Sequence, residues 1–265
     1  MKQDHRKKQP VTRKWRWFPV LWTLAFVLLI GRIVFDAGTY FFGSSFVVPG
    51  RTCHYIVHLP RGFGDWDKPR PLLIYLHGSG ETKKSVRSLR NNDLVTFMGD
   101  TVSPDDFPFI VVSPKTDTGP WNPDRLVDLL DELLDDQESR WKIDPTRIYL
   151  TGFSMGGFGT WETGMKYPDR FAAIIPVAGG YREYDPEGLK DLPVWAFHGE
   201  RDDVVPVFYS EELIASLEEC RGRSDRTRLT IFDDCGHTIP KTVYRNRDLY
   251  RWLLKYKIGE SGRVF

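Results

Sequence analysis

Cysteine is scarce in this chain: 265 residues carry three, Cys53, Cys220 and Cys235. At most one bridge can form and one thiol is left over, which excludes a disulfide framework as the basis of the fold. Free buried thiols are the expected state; if a bridge forms, Cys220–Cys235 is the geometrically simpler pair, joining a helix end to the loop that carries His237. A net charge of either sign is also missing, with 37 basic against 36 acidic side chains. No global field therefore draws the chain to nucleic acid. There is no internal repeat, and no inserted stretch is long enough for a sizeable lid domain. Histidines with metal-ligand spacing are absent apart from His54 and His58, which share one face of a strand. Without a nearby Cys, Asp or Glu partner, that pair reads as a solvated strand face. No metal and no organic cofactor is expected.

The balanced total hides an asymmetry. Lys2, Arg6, Lys7, Lys8, Arg13, Lys14 and Arg16 crowd the N-terminus, ahead of an apolar segment from Trp17 to Ile30. Alone, that segment has the length of a signal-peptide core. Extended through Ile33, Val34 and Phe35, it approaches the roughly 17–25 residues of a spanning helix. Arg32 could snorkel to the interface, and Trp15, Trp17, Tyr40 and Phe41 could anchor there. The leading expectation is an uncleaved signal-anchor, with the basic end in the cytoplasm and the remainder exported. A cleaved signal peptide, or a helix of a soluble protein, are the other readings. Residues 1–45 are thus assigned to tail, apolar helix and linker, 46–258 to a catalytic domain, and 259–265 to a C-terminal tail.

Beyond the linker, strand and helix patterns alternate. Tyr55–Val57, Pro71–Leu76, Phe109–Ser113, Arg147–Thr151, Ala172–Val177, Pro193–Phe197 and Leu229–Phe232 read as strands. Asn122, Pro123 and Asp124 form a helix start, with Leu126, Val127, Leu130, Leu133 and Leu134 on one face of the helix that follows. A last helix is expected from Thr242 to about Lys255. Such alternation predicts an α/β fold: a doubly wound, mostly parallel sheet with helices on both faces, preceded by the N-terminal apolar helix.

The most informative stretch is Gly152-Phe153-Ser154-Met155-Gly156-Gly157, directly after an apolar strand. G-x-S-x-G between strand and helix is a nucleophile elbow: Gly152 and Gly156 let the backbone pass close, and Ser154 stands clear of the sheet edge. The N–H of Met155 points into the same space. A serine hydroxyl needs a base to take its proton and a carboxylate to orient that base. His237, after the strand ending at Phe232, is the base candidate. The acid lies within His198 to Pro206, where Asp202 and Asp203 both qualify. Each follows the carboxyl end of a strand, where open α/β sheets place their sites. His77 and His198, each preceding glycine, read as loop-organising residues. Trp121 and Tyr181 follow strand ends and could line a substrate pocket or pack at its rim.

Taken together, Leu76-His77-Gly78-Ser79-Gly80-Glu81, the elbow, Tyr167 through Ile174, and the His198 to Pro206 run resemble the α/β-hydrolase superfamily over about residues 50–257. Within it the chain is similar to the compact phospholipase/carboxylesterases, polyhydroxybutyrate-depolymerase-like esterases and small prolyl-oligopeptidase-like hydrolases. The resemblance implies a Ser154–Asp202–His237 triad, with Asp203 at a spacer position. It also implies that the Ser79 N–H joins that of Met155 in an oxyanion hole. Two departures concern the pocket: Thr238-Ile239-Pro240-Lys241 follows the histidine, and Lys115 stands where relatives often have an uncharged side chain. The expected activity is hydrolysis of a small-molecule or carbohydrate-linked carboxylic ester, at an open site without a lid. A peptidase or thioesterase on the same fold, or a catalytically silent binding module, are the competing readings. Oligomeric state has no signature.

Overall fold

The computed structural model describes residues 45–59, 68–96, 107–135 and 142–259. The basic tail and apolar helix expected before residue 45 lie outside them, as does the C-terminal tail after Gly259. Among the described residues, no helix is long and apolar enough to cross a membrane.

Among the described residues eight strands form one sheet: β1 (Ser45–Pro49), β2 (His54–His58), β3 (Arg70–Leu76), β4 (Ile110–Pro114), β5 (Ile143–Phe153), β6 (Ala173–Val177), β7 (Val194–Gly199) and β8 (Thr227–Phe232). Their spatial order is β1-β2-β4-β3-β5-β6-β7-β8. β1 and β2 pair antiparallel, β2 pairs antiparallel with β4, and every other neighbour is parallel. The carboxyl ends of β3 to β8 therefore share one edge.

The apolar run of β3 is unbroken because both faces of the sheet are covered. Leu72, Ile74 and Leu76 enter one core, and Leu73 and Tyr75 enter the other. The first core is closed by α1 (Pro123–Asp135), α2 (Met155–Lys166) and α3 (Phe208–Arg221), through Leu129, Leu133, Trp161, Met165, Leu213 and Leu217. The second is closed by α4 (Pro240–Tyr244) and α5 (Arg247–Leu253), through Val243, Tyr244, Leu249, Trp252 and Leu253. α1 starts as its sequence dictates. Asn122 Oδ1 accepts from the N–H groups of Asp124 and Arg125 at 2.9 and 3.1 Å, and Pro123 occupies the first turn, where no donor is missed.

Three expectations change. The single helix from Thr242 to Lys255 is two helices, because Asn246 leaves the helical region (ψ 107°) and its side chain accepts from Asp248 N–H at 3.0 Å. An asparagine side chain competes with backbone pairing and starts a new helix rather than continuing the old one. Ser45, placed in the linker, already belongs to β1, which pairs Ser45 with His58 and Pro49 with His54. The cysteines are free, as expected, but not buried: Cys220 and Cys235 are exposed and Cys53 is half-buried, and the Cys220 thiol faces Glu187 Oε1 at 3.5 Å.

Candidate active site

β5 delivers Ser154 through a turn that only glycine permits. A Cβ on Gly156 would lie 2.0 Å from the Leu76 carbonyl oxygen, and one on Gly152 would lie 2.4 Å from that of Gly156. The close approach seats α2 against the ends of β3 and β5. Ser154 absorbs the remaining bend at φ 57°, ψ −118°, a left-handed conformation that a non-glycine residue adopts under strain. Its N–H donates to Val177 O at 2.9 Å, which ties the elbow to the neighbouring strand. Met155 is the first residue of α2, so its N–H has no intrahelical partner.

Beyond β7, Asp202 is brought under the imidazole of His237. His237 Nδ1 lies 2.7 Å from Asp202 Oδ2, and Nε2 lies 2.8 Å from Ser154 Oγ. An ionised carboxylate only accepts, so Nδ1 carries the proton and Nε2 is left to receive the serine hydroxyl's hydrogen. The other carboxylate oxygen accepts from Val204 and Val205 N–H at 2.9 and 2.8 Å. Burial opposes ionisation of Asp202, but the His237 contact and these two amides outweigh it and hold the carboxyl below the ordinary aspartate range. Asp203, one residue on, is exposed. His198 is wholly buried, bonded to Ser210 Oγ at 2.8 Å and Val205 O at 2.9 Å. Burial lowers its pKa, so a neutral ring props the Asp202 loop. The His237 loop is latched to the end of β7 by Arg201 N–H on Cys235 O at 2.8 Å. Phe153 backs the imidazole with ring centroids 5.0 Å apart.

Ser79 begins a single 3₁₀ turn, Ser79–Glu81, right after β3. A Cβ on Gly78 would lie 3.6 Å from Ser154 Cβ, so this loop borders the nucleophile. Its position is set from below. His77 Nδ1 bonds Gly78 O at 2.8 Å, His77 Nε2 accepts from Thr116 N–H at 3.2 Å, and Thr82 Oγ1 donates to Ser79 O at 2.8 Å. The departure at Lys115 turns out to serve the same loop. Its side chain is 2% exposed, and Nζ donates to Thr82 O at 2.7 Å, Thr116 O at 2.8 Å and the Asp117 carboxylate. Three donors meet three acceptors, which is what burial of an ammonium requires. The signal was in the sequence: a lysine directly after the apolar run that ends β4, on the edge that carries the site.

The two pocket candidates take separate places. Trp121 is buried, donates from Nε1 to His77 O at 3.0 Å, and meets the His77 ring edge-on at 4.9 Å. It lines a cavity of about 420 Å³ on the β2–β4 side of the Ser79 loop. Tyr181 bonds Glu212 through its hydroxyl and packs edge-on against Tyr209 at 5.1 Å, inside an aromatic cluster with Tyr184. Its hydroxyl is engaged there and not at Ser154 or His237. No group of three or more metal-ligating side chains occurs among the described residues.

A serine, an imidazole and an ionised carboxylate in one hydrogen-bonded line can carry out acyl transfer. Comparison with known proteins agrees with that chemistry. A phospholipase/carboxylesterase family model matches residues 91–247. A bifunctional acetylxylan esterase/xylanase from Neocallimastix patriciarum is 26% identical over 194 residues, covering 69% of this chain and 26% of its own. A protein described as a putative esterase from Nocardia uniformis subsp. tsuyamanensis is 29% identical, covering 66% of this chain and 52% of its own. The chain thus spans about a quarter and about half of these relatives' lengths. The crystal structure of a thermostable esterase superposes with a TM-score of 0.67 at 28% identity, over 81% of this chain and 63% of that one.

Proposed function

Because this chain belongs to the phospholipase/carboxylesterase family, we propose that it hydrolyses carboxylic esters through an acyl-enzyme on Ser154. One observation carries the reading: the unbroken line from Asp202 through His237 to Ser154, at 2.7 and 2.8 Å. Ser154 Oγ attacks the ester carbonyl while its proton passes to His237 Nε2. The carbonyl oxygen becomes an oxyanion held by the N–H groups of Ser79 and Met155. The tetrahedral adduct collapses, the C–O bond to the alcohol breaks, and His237 returns the proton to the departing oxygen. Water then repeats both steps on the acyl-serine, releasing the acid. Asp202 stays ionised throughout and stabilises the imidazolium formed twice per cycle.

A carbohydrate-linked ester is the substrate class this reading favours. It is supported by the similarity to an acetylxylan esterase. The N-terminal segment would tether the enzyme to a membrane with this site on the exported side. Fractionation tests the tether: the chain should stay with membranes at alkaline carbonate and leave them in detergent, and release by carbonate alone would end the idea. For the chemistry, a fluorophosphonate probe should label wild type at Ser154 and leave Ser154→Ala unlabelled. Wild type without labelling would mean a silent binding module. A labelled enzyme that cleaves thioesters or peptide amides faster than p-nitrophenyl acetate would move the assignment to the thioesterase or peptidase reading.

A further inference from the structure

The cavity beside Trp121 is not part of the acyl-transfer machinery, yet it opens on the same edge of the sheet. Its walls come from the start of β2, the loop after β4 and the first turns of α1. The strand order β2-β4-β3-β5 puts the end of β4 two spacings from the elbow and β2 three. At about 4.8 Å per spacing, the cavity lies roughly 10–14 Å from Ser154. In the intervening turn, a Cβ on Gly80 would meet nothing within 4 Å. About 420 Å³ suits a small ligand or one unit of a larger one, since such sites span roughly 300–1,000 Å³.

The lining states the chemistry. Among the lining side chains Arg51, Lys115 and Arg125 stand against one carboxylate, Asp117, which Lys115 already holds; Glu132, behind the wall, is engaged by the N–H groups of Arg51 and Thr52 at 3.0 and 2.9 Å. Arg51 approaches Asp135 only at 3.8 Å between two largely exposed side chains, a pairing worth little. Arg125 makes no ion pair among the described residues. The Thr118 hydroxyl and the Asn122 side-chain NH₂ add polar groups suited to a polyol, while Asn122 Oδ1 caps α1 and Thr116 Oγ1 donates to Gly119 O at 3.4 Å. The floor is rigid, because Lys115 and Trp121 are fixed by the bonds that hold the Ser79 loop.

We propose that this cavity is a distal subsite for an acidic sugar unit of the substrate, its carboxylate received by Arg125, about 10–14 Å from the ester bond that is cut. The proposal deepens the ester-hydrolase reading and rests on it for the identity of the substrate. Its test does not. The full chain is titrated at low ionic strength with methyl galacturonoside and with methyl galactoside, which differ by one carboxylate. The acidic sugar should bind about tenfold tighter or better, as a charge-assisted contact allows, and Arg125→Gln should erase the preference. Equal binding of the two sugars, binding of neither, or a preference that survives Arg125→Gln would each overturn the subsite. Hydrolysis of p-nitrophenyl acetate by the same wild-type sample reports on the ester-hydrolase reading separately.

Discussion

Ser154 is the residue whose removal should cost most. Ser154→Ala should lower kcat by about 10⁴- to 10⁶-fold with the fold intact, measured with p-nitrophenyl acetate, because Ser154 Oγ is the hydroxyl bonded to His237 Nε2. Separate Asp202→Asn and Asp203→Asn variants resolve the acid. The first should lose about 10⁴-fold in kcat, since an amide in place of the carboxylate favours the wrong imidazole tautomer. The second should retain near-normal turnover, as Asp203 is exposed. Asp202 also links stability to pH. Its folded pKa is depressed, so it binds fewer protons folded than unfolded. Its contribution is therefore complete above the ordinary aspartate value near ~3.9 and is lost as pH falls through the lower folded value. Urea titrations below about pH 4 should show a shallower loss of stability in Asp202→Asn than in wild type. Ser154 and His237 were readable in sequence because strand, glycines and order accompany them. Lys115 was visible only as an oddity, because its three acceptors come from residues 82, 116 and 117 and only folding gathers them.

Loops and helix ends carry the next set of consequences. Lys115→Met keeps the bulk of the side chain and removes all three donors. Thr82 O, Thr116 O and the Asp117 carboxylate then lose their partner, and the turn that carries Ser79 loosens. The expected result is a fall in kcat of about tenfold or more with a smaller change in KM, because a displaced donor weakens the transition state more than the bound ester. Equal changes in both, or a change in KM alone, would mean that Lys115 only supports the fold. At the second helix pair, Asn246→Ala removes the cap of α5 and should cost about 1 kcal/mol in urea unfolding with activity unchanged. That break was missed in sequence because the apolar pattern runs on past it: Val243, Tyr244, Leu249 and Tyr250 all face the same core. Periodicity reports which face is buried and says little about where the backbone pauses. β1 escaped for the opposite reason, since five residues beside a linker carry too little pattern.

Over the molecule as a whole, one sheet separates two cores, with Ile258 packed against both. Ile74 faces the α1–α2–α3 side and Ile175 the α4–α5 side, on strands two spacings apart. Ile74→Val and Ile175→Val should each cost about 0.5–1.5 kcal/mol, and the double variant should equal their sum within about 0.5 kcal/mol. A larger coupling in denaturant unfolding would show that strain passes through the sheet. The sheet also fixes where the site faces. β1 runs parallel to the central strands, so Ser45 enters at the edge opposite Ser154.

Local chemistry alone determined a good deal: an α/β alternation, a glycine-framed serine after a buried strand, a histidine and an aspartate in hydrolase order. Those signals are legible because period, glycine placement and strand ends are properties of short stretches of chain. Distances between remote segments are not. Strand order and close packing chose Asp202 over Asp203, set Lys115 beneath the Ser79 turn, turned Tyr181 toward Glu212, and left an arginine-lined cavity two strands from the nucleophile. Each of those outcomes depends on groups far apart in sequence sharing a few ångströms of space, and only the folded sheet brings them there.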